Sequence, residues 1–467
     1  MAILIKNGTV VTATEEYKGD ILIDGEKIVA IGRGLDGRVK ETIDANGKYI
    51  FPGGIDGHTH FGIPFMGTVT AAFDTTPAAI VGGTTSIIDF IPQPRGMSLL
   101  DASIKHRKEM AEGVSVADFG LHAMVMDAQP GIFEELPALI KAGIPTIKLF
   151  MAYKGTPFNS DDATIFQMLQ RTKKVGMLTM LHAENGDIID LLQKQLVAEG
   201  KTDPQYHATS RPPVVEAEAT GRATMLAKAA EAPVFIVHIS CAEAMMAVRE
   251  ARQRGIAAFG ETCPHYLTLD VSNLAKPNFE GAKYVCSPPL REAWNQEPLW
   301  QSIQQGWLQV VGSDHCGFNF KGQKEMGRGD FTKIPNGCPG VENRLAILYT
   351  YGVLTGKLSL QRMVDVFSTA PAKFYGMYPR KGSITVGGDA DLIIFDPRYK
   401  GKISAKTSLH GVDFNSYEGF EQRGRPEKVF LRGSLCVDDG KFVGKLGQGK
   451  FIEREPYGLA YTGQVKK

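Results

Sequence analysis

The sequence is poor in the features that mark several large classes of protein. Six cysteines (Cys241, Cys263, Cys286, Cys316, Cys338, Cys436) are scattered through 467 residues with no C-x-x-C pair, which excludes a disulfide framework and leaves free thiols in a reducing compartment as the expectation. Net charge is almost absent. The 52 Lys and Arg stand against 51 Asp and Glu, a formal +1, and no basic cluster offers a local field to nucleic acid or an anionic membrane. No apolar run approaches the roughly 20 residues needed to cross a bilayer. The N-terminal Ile3-Leu4-Ile5-Lys6-Asn7-Gly8 carries a lysine in its apolar run and turns at once, so it lacks the order of a secretory signal. A cytoplasmic protein is expected, with a small and roughly neutral molecule as its partner. No G-x-G-x-x-G opens a helix, which argues against a dinucleotide-binding open sheet.

What is present is a soluble globular balance, 43% hydrophobic and 22% charged residues, in a chain long enough for one large domain and one small one. Short strand-like runs open the chain, Ile3 to Ile5, Val10-Val11, Ile21 to Ile23 and Ile28 to Ile31, with a turn at Asp24-Gly25. The same texture returns in Gly382 to Ile384, Asp391 to Asp396, Val429 to Leu431 and Cys436 to Gly440. Neither piece can close a core alone, so residues 1–52 and 380–440 are expected to form one small β-sandwich domain. Between them, across 53–379, apolar runs alternate with helical stretches, as in parallel βα units. Candidate strands are Gly54–His58, Thr84–Phe90, Asp118–Val125, Thr146–Met151, Met177–His182, Val234–Ile239, Ala257–Glu261 and Leu308–Ser313. About eight such units predict a (β/α)8 TIM barrel. Residues 441–467 read as a polar tail, either frayed or, through Tyr457 and Tyr461, an arm gripping another subunit.

The strongest chemical signal is His58-Thr59-His60 at the end of the first of these strands. Alternate residues on a strand share a side, so the two imidazoles converge, and one cation is the simplest thing for them to bind. A lone H-x-H could equally hold one buried and one exposed histidine. His182, His238 and Asp314 also end candidate strands, and in a barrel those ends form the rim where active sites lie. Four of only ten histidines fall on that rim, which makes a metal site the better reading than four unrelated structural residues.

Lys148 stands among apolar neighbours, where an unpaired ammonium is costly to bury and loses its proton readily. A lysine paired with a buried carboxylate is the ordinary alternative. Beside four histidines, however, a cationic lysine would repel a metal, whereas its carbamate with carbon dioxide would be an anion able to bridge two divalent ions. Such a pair would bring a bound water's pKa to about 7, supplying a bridging hydroxide at neutral pH. That hydroxide could attack an amide carbon, with Asp314 shuttling the proton to the departing nitrogen.

The chain resembles the cyclic amidohydrolases, most closely the D-hydantoinase and dihydropyrimidinase branch. The resemblance rests on Pro52 to His60, Lys148 to Tyr153, His182-Ala183-Glu184-Asn185, Gly260 to Pro264, Ser287 to Arg291, Gly312 to His315 and Ile334 to Gly337, and spans nearly the whole chain. It implies that His58, His60 and Asp314 hold one ion and His182 and His238 the other, with carboxylated Lys148 between. Zinc is the expected metal, although manganese, cobalt or nickel would suit the same donors. It implies further that Tyr153 donates to the oxyanion and that the main chain at Ser287 and Asn336 binds the ring's amide edge. By itself Tyr153 would be read as core packing. Ile63, Phe65 and Phe158 belong to segments resembling the loops that receive the ring's substituent, and bare sequence calls them a hydrophobic lid. Cys316 either lines the same pocket or is a buried thiol. The dihydroorotase branch carries an arginine where this chain has Gly62, so an anionic ring acid is disfavoured. The expected reaction is ring opening of hydantoins or dihydropyrimidines to N-carbamoyl amino acids, in a homotetramer. Allantoinase chemistry and a non-catalytic interaction protein are the rivals, and the complete ligand set speaks against the second.

Overall fold

The computed structural model describes residues 2–37, 39–128 and 131–457. Eight parallel strands, here β1 (Gly54–Thr59), β2 (Thr84–Pro92), β3 (Asp118–Met124), β4 (Thr146–Phe150), β5 (Leu178–His182), β6 (Val234–Ile236), β7 (Ala258–Thr262) and β8 (Val310–Val311), pair in that order. Every residue of β1 and β3 to β8 is buried, and β2 is buried up to its last residue, as expected of strands covered on both faces. The ring closes just beyond β8. His60 N–H donates to the His315 carbonyl at 2.9 Å and His315 N–H to the His58 carbonyl at 3.2 Å, a parallel bridge between Thr59 and His315.

All eight expected strands are present, and the helices between them start and stop on local chemistry. The helix Asp162–Val175 begins where the Asp161 carboxylate accepts from Thr164 N–H at 2.8 Å and ends on Gly176 at φ +76°. Its Ile165, Met168, Leu169 and Thr172 are buried, the 3.6-residue stripe that packs it on the barrel. Inside the ring, Ile55, Ile88, Phe90, Met180, Phe235 and Val310 make the core, and Tyr375 closes the lower end. Gly57 is required there: a Cβ would lie 2.2 Å from the Tyr375 ring.

Both chain ends contribute to one nine-stranded sheet, in which Tyr49–Pro52 pairs antiparallel with Leu392–Lys402 and parallel with Ile3–Val11. Ile5, Val10, Ile21, Ile50, Leu392 and Phe430 form its core. Two expectations change. Gly382 to Ile384 is not a strand; its segment turns to bring Lys381 against Asp118, Asp389 and Asp391 at 2.8, 3.1 and 2.6 Å, an ion network joining sheet and barrel. The stretch from 441, read as a tail, is built in. Lys441–Phe442 is an edge strand, and Ile452 N–H donates to the Phe119 carbonyl at 2.7 Å. Arg454, 2% exposed, donates to Thr146 Oγ1 at 2.9 Å and to the Leu121 carbonyl beneath the ring. Residues 458–467, including Tyr461, lie outside the described residues. Among the described residues, no helix is long and apolar enough to cross a membrane.

The seam between β1 and β8 is held from below by Arg344. This fully buried guanidinium donates to the Ile55 carbonyl at 2.8 Å, the Val311 carbonyl at 3.0 Å and Thr84 Oγ1 at 3.0 Å, and lies 3.5 Å from the Asp56 carboxylate. Removing one partner of such a buried pair strands the other charge. Arg344→Met is therefore expected to destabilise the fold by about 3–5 kcal/mol, and an unchanged denaturation midpoint would contradict this account of the seam.

Candidate active site

The upper mouth of the barrel opens into a compact cleft. His58, His60, Lys148, His182, His238 and Asp314 all line it, with Tyr153, Ser287 and Asn336, and so do Ile63, Phe65, Phe158 and Cys316. Every residue expected at the site is thus in one cavity, beside Thr70, Met124, Phe150 and Gly337, which had not been singled out.

The polar floor is compact. Single ligand atoms of His58, His60 and Asp314 all lie within 4.8 Å of one another. Asp314 Oδ1 is 3.1 Å from His58 Nε2 and 3.4 Å from His60 Nε2. The rings of His182 and His238 are 4.5 Å apart, and that of His238 is 5.2 Å from His58. Burial opposes ionisation of Asp314, but His58, His60 and His238 together hold its carboxyl well below the usual range. Burial pushes His182 and His238 down, so both imidazoles are neutral and have lone pairs to give.

Lys148 is 1% exposed, with Nζ 4.6 Å from the centre of the Phe90 ring and 5.0 Å from that of Phe150. Burial drives its ammonium down to about 7, against the pull of Asp314 and Glu261. The free amine is therefore far more accessible than in an exposed lysine. The donor set fits divalent cations: imidazoles, an ionised carboxylate and a readily deprotonated amine meet on one floor, and the buried Nδ1 of His238 has no hydrogen-bond partner.

Neighbouring buried side chains orient these groups. Glu261 accepts from His58 Nδ1 at 2.6 Å, leaving Nε2 to face the cleft. Glu184 holds His182 Nε2 at 2.7 Å and accepts from Arg211 Nη1 at 2.6 Å. Although burial works against it, Arg211 and His182 keep the Glu184 carboxyl at about 2. Tyr153, in the left-handed region at φ +59°, turns its ring beneath Phe65 and Phe158 at 5.9 and 5.8 Å. Burial raises its phenol to about 12, so it remains a donor. His238 and Asp314 also have positive φ, +40° and +48°. Three of the central residues therefore sit in a conformation that costs L-residues energy, and such strain gathers at functional sites. The hairpin Pro64–Phe65 with Thr68–Val69 carries Phe65 over the cleft, pinned by Thr70 Oγ1 accepting from Ile63 N–H at 2.8 Å.

A family model described as the amidohydrolase family matches residues 49–436. The chain belongs to the amidohydrolase family. This amidohydrolase is 51% identical over 467 residues to the D-hydantoinase of Geobacillus stearothermophilus, covering 99% of each chain. It is 47% identical to the D-hydantoinase of Rhizobium radiobacter, over 98% of this chain and all of that one. The crystal structure of dihydropyrimidinase from Brevibacillus agri matches with a TM-score of 0.96 at 51% identity, covering 98% of this chain and 100% of that one. The L-hydantoinase of Arthrobacter aurescens matches at 0.89 and 32%, over 97% and 99%. Likeness of this extent makes the chain a cyclic amide hydrolase on a TIM barrel.

Sequence reasoning quoted Glu184 and Glu261 within motifs but assigned them no role, and Arg211 was missed. The available signal was position: both acids lie at the rim ends of barrel strands beside a histidine's reach. Partners that hold metal-binding histidines are commonly worth 10–100-fold in metal affinity. Glu184→Gln is expected to weaken divalent-ion binding by about that factor in calorimetric titration of the metal-free protein, and an unchanged affinity would remove Glu184 from this role.

Proposed function

We propose that the chain hydrolyses the ring of 5-substituted hydantoins or dihydropyrimidines, releasing N-carbamoyl amino acids. The observation that carries this is one cleft holding four histidines, Lys148 and Asp314 against Tyr153, in a chain half identical along its whole length to enzymes named D-hydantoinase.

His58, His60 and Asp314 would hold one divalent ion, His182 and His238 a second, with zinc the ion that best suits the donors. Two such ions supply Lewis acidity, bringing a water's pKa to about 7 and polarising an amide carbonyl. Lys148 prepares the site. Its neutral amine would attack carbon dioxide: a nitrogen–carbon bond forms as one carbon–oxygen π bond opens, one proton leaves to solvent, and the uncharged amine becomes a carbamate anion able to serve both ions. Asp314, ionised and adjacent to His58 and His60, takes the proton of the attacking water and returns it to the leaving ring nitrogen. Tyr153, with its pKa near 12, stays protonated across the working range and donates to the oxygen that gains charge as the carbonyl carbon becomes tetrahedral. The main chain at Ser287 and Asn336 would bind the amide edge of the ring, the two residues being tied by Asn336 Nδ2 donating to Ser287 Oγ at 3.0 Å. Ile63, Phe65, Phe158 and Cys316 enclose the ring's substituent and keep water from the reacting amide.

Turnover of 5-phenylhydantoin, dihydrouracil and allantoin by purified protein tests the reading; inactivity on the first two, or a clear preference for allantoin, would overturn it. Lys148→Ala should lose bound metal by elemental analysis and nearly all activity, and the intact wild-type mass should show carbon dioxide added at Lys148. Tyr153→Phe should lower kcat by about 10²–10³-fold while leaving the metal in place.

A further inference from the structure

Another buried lysine lies outside the polar floor of the cleft. Lys324, with no exposed surface, belongs to the short turn of helix Lys324–Gly327 on the far side of the loops that form the cleft wall. Its Nζ donates to the Val285 carbonyl at 2.8 Å and the Gly337 carbonyl at 2.6 Å. The titratable groups that act on its charge are the thiols of Cys338, Cys286 and Cys316. An ammonium buried this deeply is unfavourable unless its donors are satisfied, and its two charge-assisted hydrogen bonds replace what water would have given.

The two carbonyls belong to the two segments that carry Ser287 and Asn336. Neither segment is a helix or a paired strand of the barrel, so nothing in regular secondary structure sets their separation. What does is a small set of contacts. Gly337 N–H donates to the Val285 carbonyl at 2.9 Å, and Cys316 N–H to the Cys338 carbonyl at 3.0 Å. His207 Nε2 reaches the Cys286 carbonyl at 2.8 Å, and Asn336 Nδ2 joins Ser287 Oγ on the cleft side. Gly337, at φ +144°, packs so tightly on Cys316 that a Cβ would fall 2.7 Å from its sulfur. Lys324 joins both segments through one atom, from behind.

We propose that Lys324 is a positioning residue for ring recognition: it clamps the 285–287 and 336–338 segments at the spacing that lets Ser287 and Asn336 grip the amide edge common to all cyclic ureides. The proposal rests on the cyclic-ureide reading above. Its hydrogen bonds go to main-chain carbonyls and to no candidate metal ligand or substituent-pocket side chain, so its signature differs from theirs. An interaction made equally with substrate and transition state appears in KM and not in kcat.

Lys324→Met and Lys324→Gln should therefore raise KM by about tenfold with kcat little changed, by the same factor for 5-methyl-, 5-isopropyl- and 5-phenylhydantoin, with metal content as in wild type. An unaltered KM, a loss that varies with the substituent, or a loss that follows missing metal would overturn it. Should both variants fail to fold, amide hydrogen exchange on the wild-type protein decides: Gly337 should exchange slowly, and rapid exchange there would show that the clamp does not hold. Failure of wild-type protein to open any hydantoin would sink the functional reading; an active wild type with unaffected variants sinks only the role of Lys324.

Discussion

The seam between the first and last barrel strands is where fold and chemistry depend on the same atoms. Asp56 Oδ1 accepts from His58 N–H and from Ser313 N–H, each at 3.1 Å, so one buried carboxylate sets the backbone on both sides. His58 then faces Asp314 across the closure, while Arg344 ties the strands below. A barrel that failed to close here would separate the carboxylate from the histidines it must face, and the cleft would lose its floor. The interior supports this from underneath, with Tyr375 against Gly57 and Arg454 beneath the ring.

Above the seam, burial does unequal work on different charges. It lowers the ammonium of Lys148 and the imidazoles of His182 and His238, while Asp314 and Glu184 remain ionised because cationic or imidazole partners outweigh their desolvation. A floor of nitrogen donors and fixed carboxylates is ready for cations before any arrive. Preorganisation of this kind costs stability, visible as positive φ at Tyr153, His238 and Asp314, and the surrounding packed barrel compensates. Arg211 connects two parts of the site, pairing with the carboxylate that orients His182 and lying 5.6 Å from the ring centre of Tyr153. Farther out, the wall that would meet the substrate ring is irregular backbone, held by side chains such as Lys324 and His207.

Much of the barrel was legible because a parallel strand buried on both faces must be a short apolar run, and residues ending such runs must share one rim. That reasoning brought His58, His182, His238 and Asp314 together from distant parts of the chain. It failed where local pattern and tertiary use diverge. Gly382 to Ile384 has strand-like composition but turns to serve Lys381, and the polar stretch after 441 looks like a tail although Arg454 is buried by donating to backbone oxygens. Arg211, His207 and Lys324 carry no local signature, since a buried polar residue announces itself only through partners supplied by other segments.

By itself, the sequence determined the eight βα units, the residues at their ends and the chemical character of the candidate site, because strand periodicity and side-chain type are local properties. Tertiary structure alone decided that the ring closes at Thr59 and His315 and that Lys148 is held near neutrality. It alone decided which nitrogen of His58 and His182 is taken by a glutamate and which loops face the cleft. Those outcomes depend on distance and desolvation between residues far apart in the chain, which no linear pattern encodes.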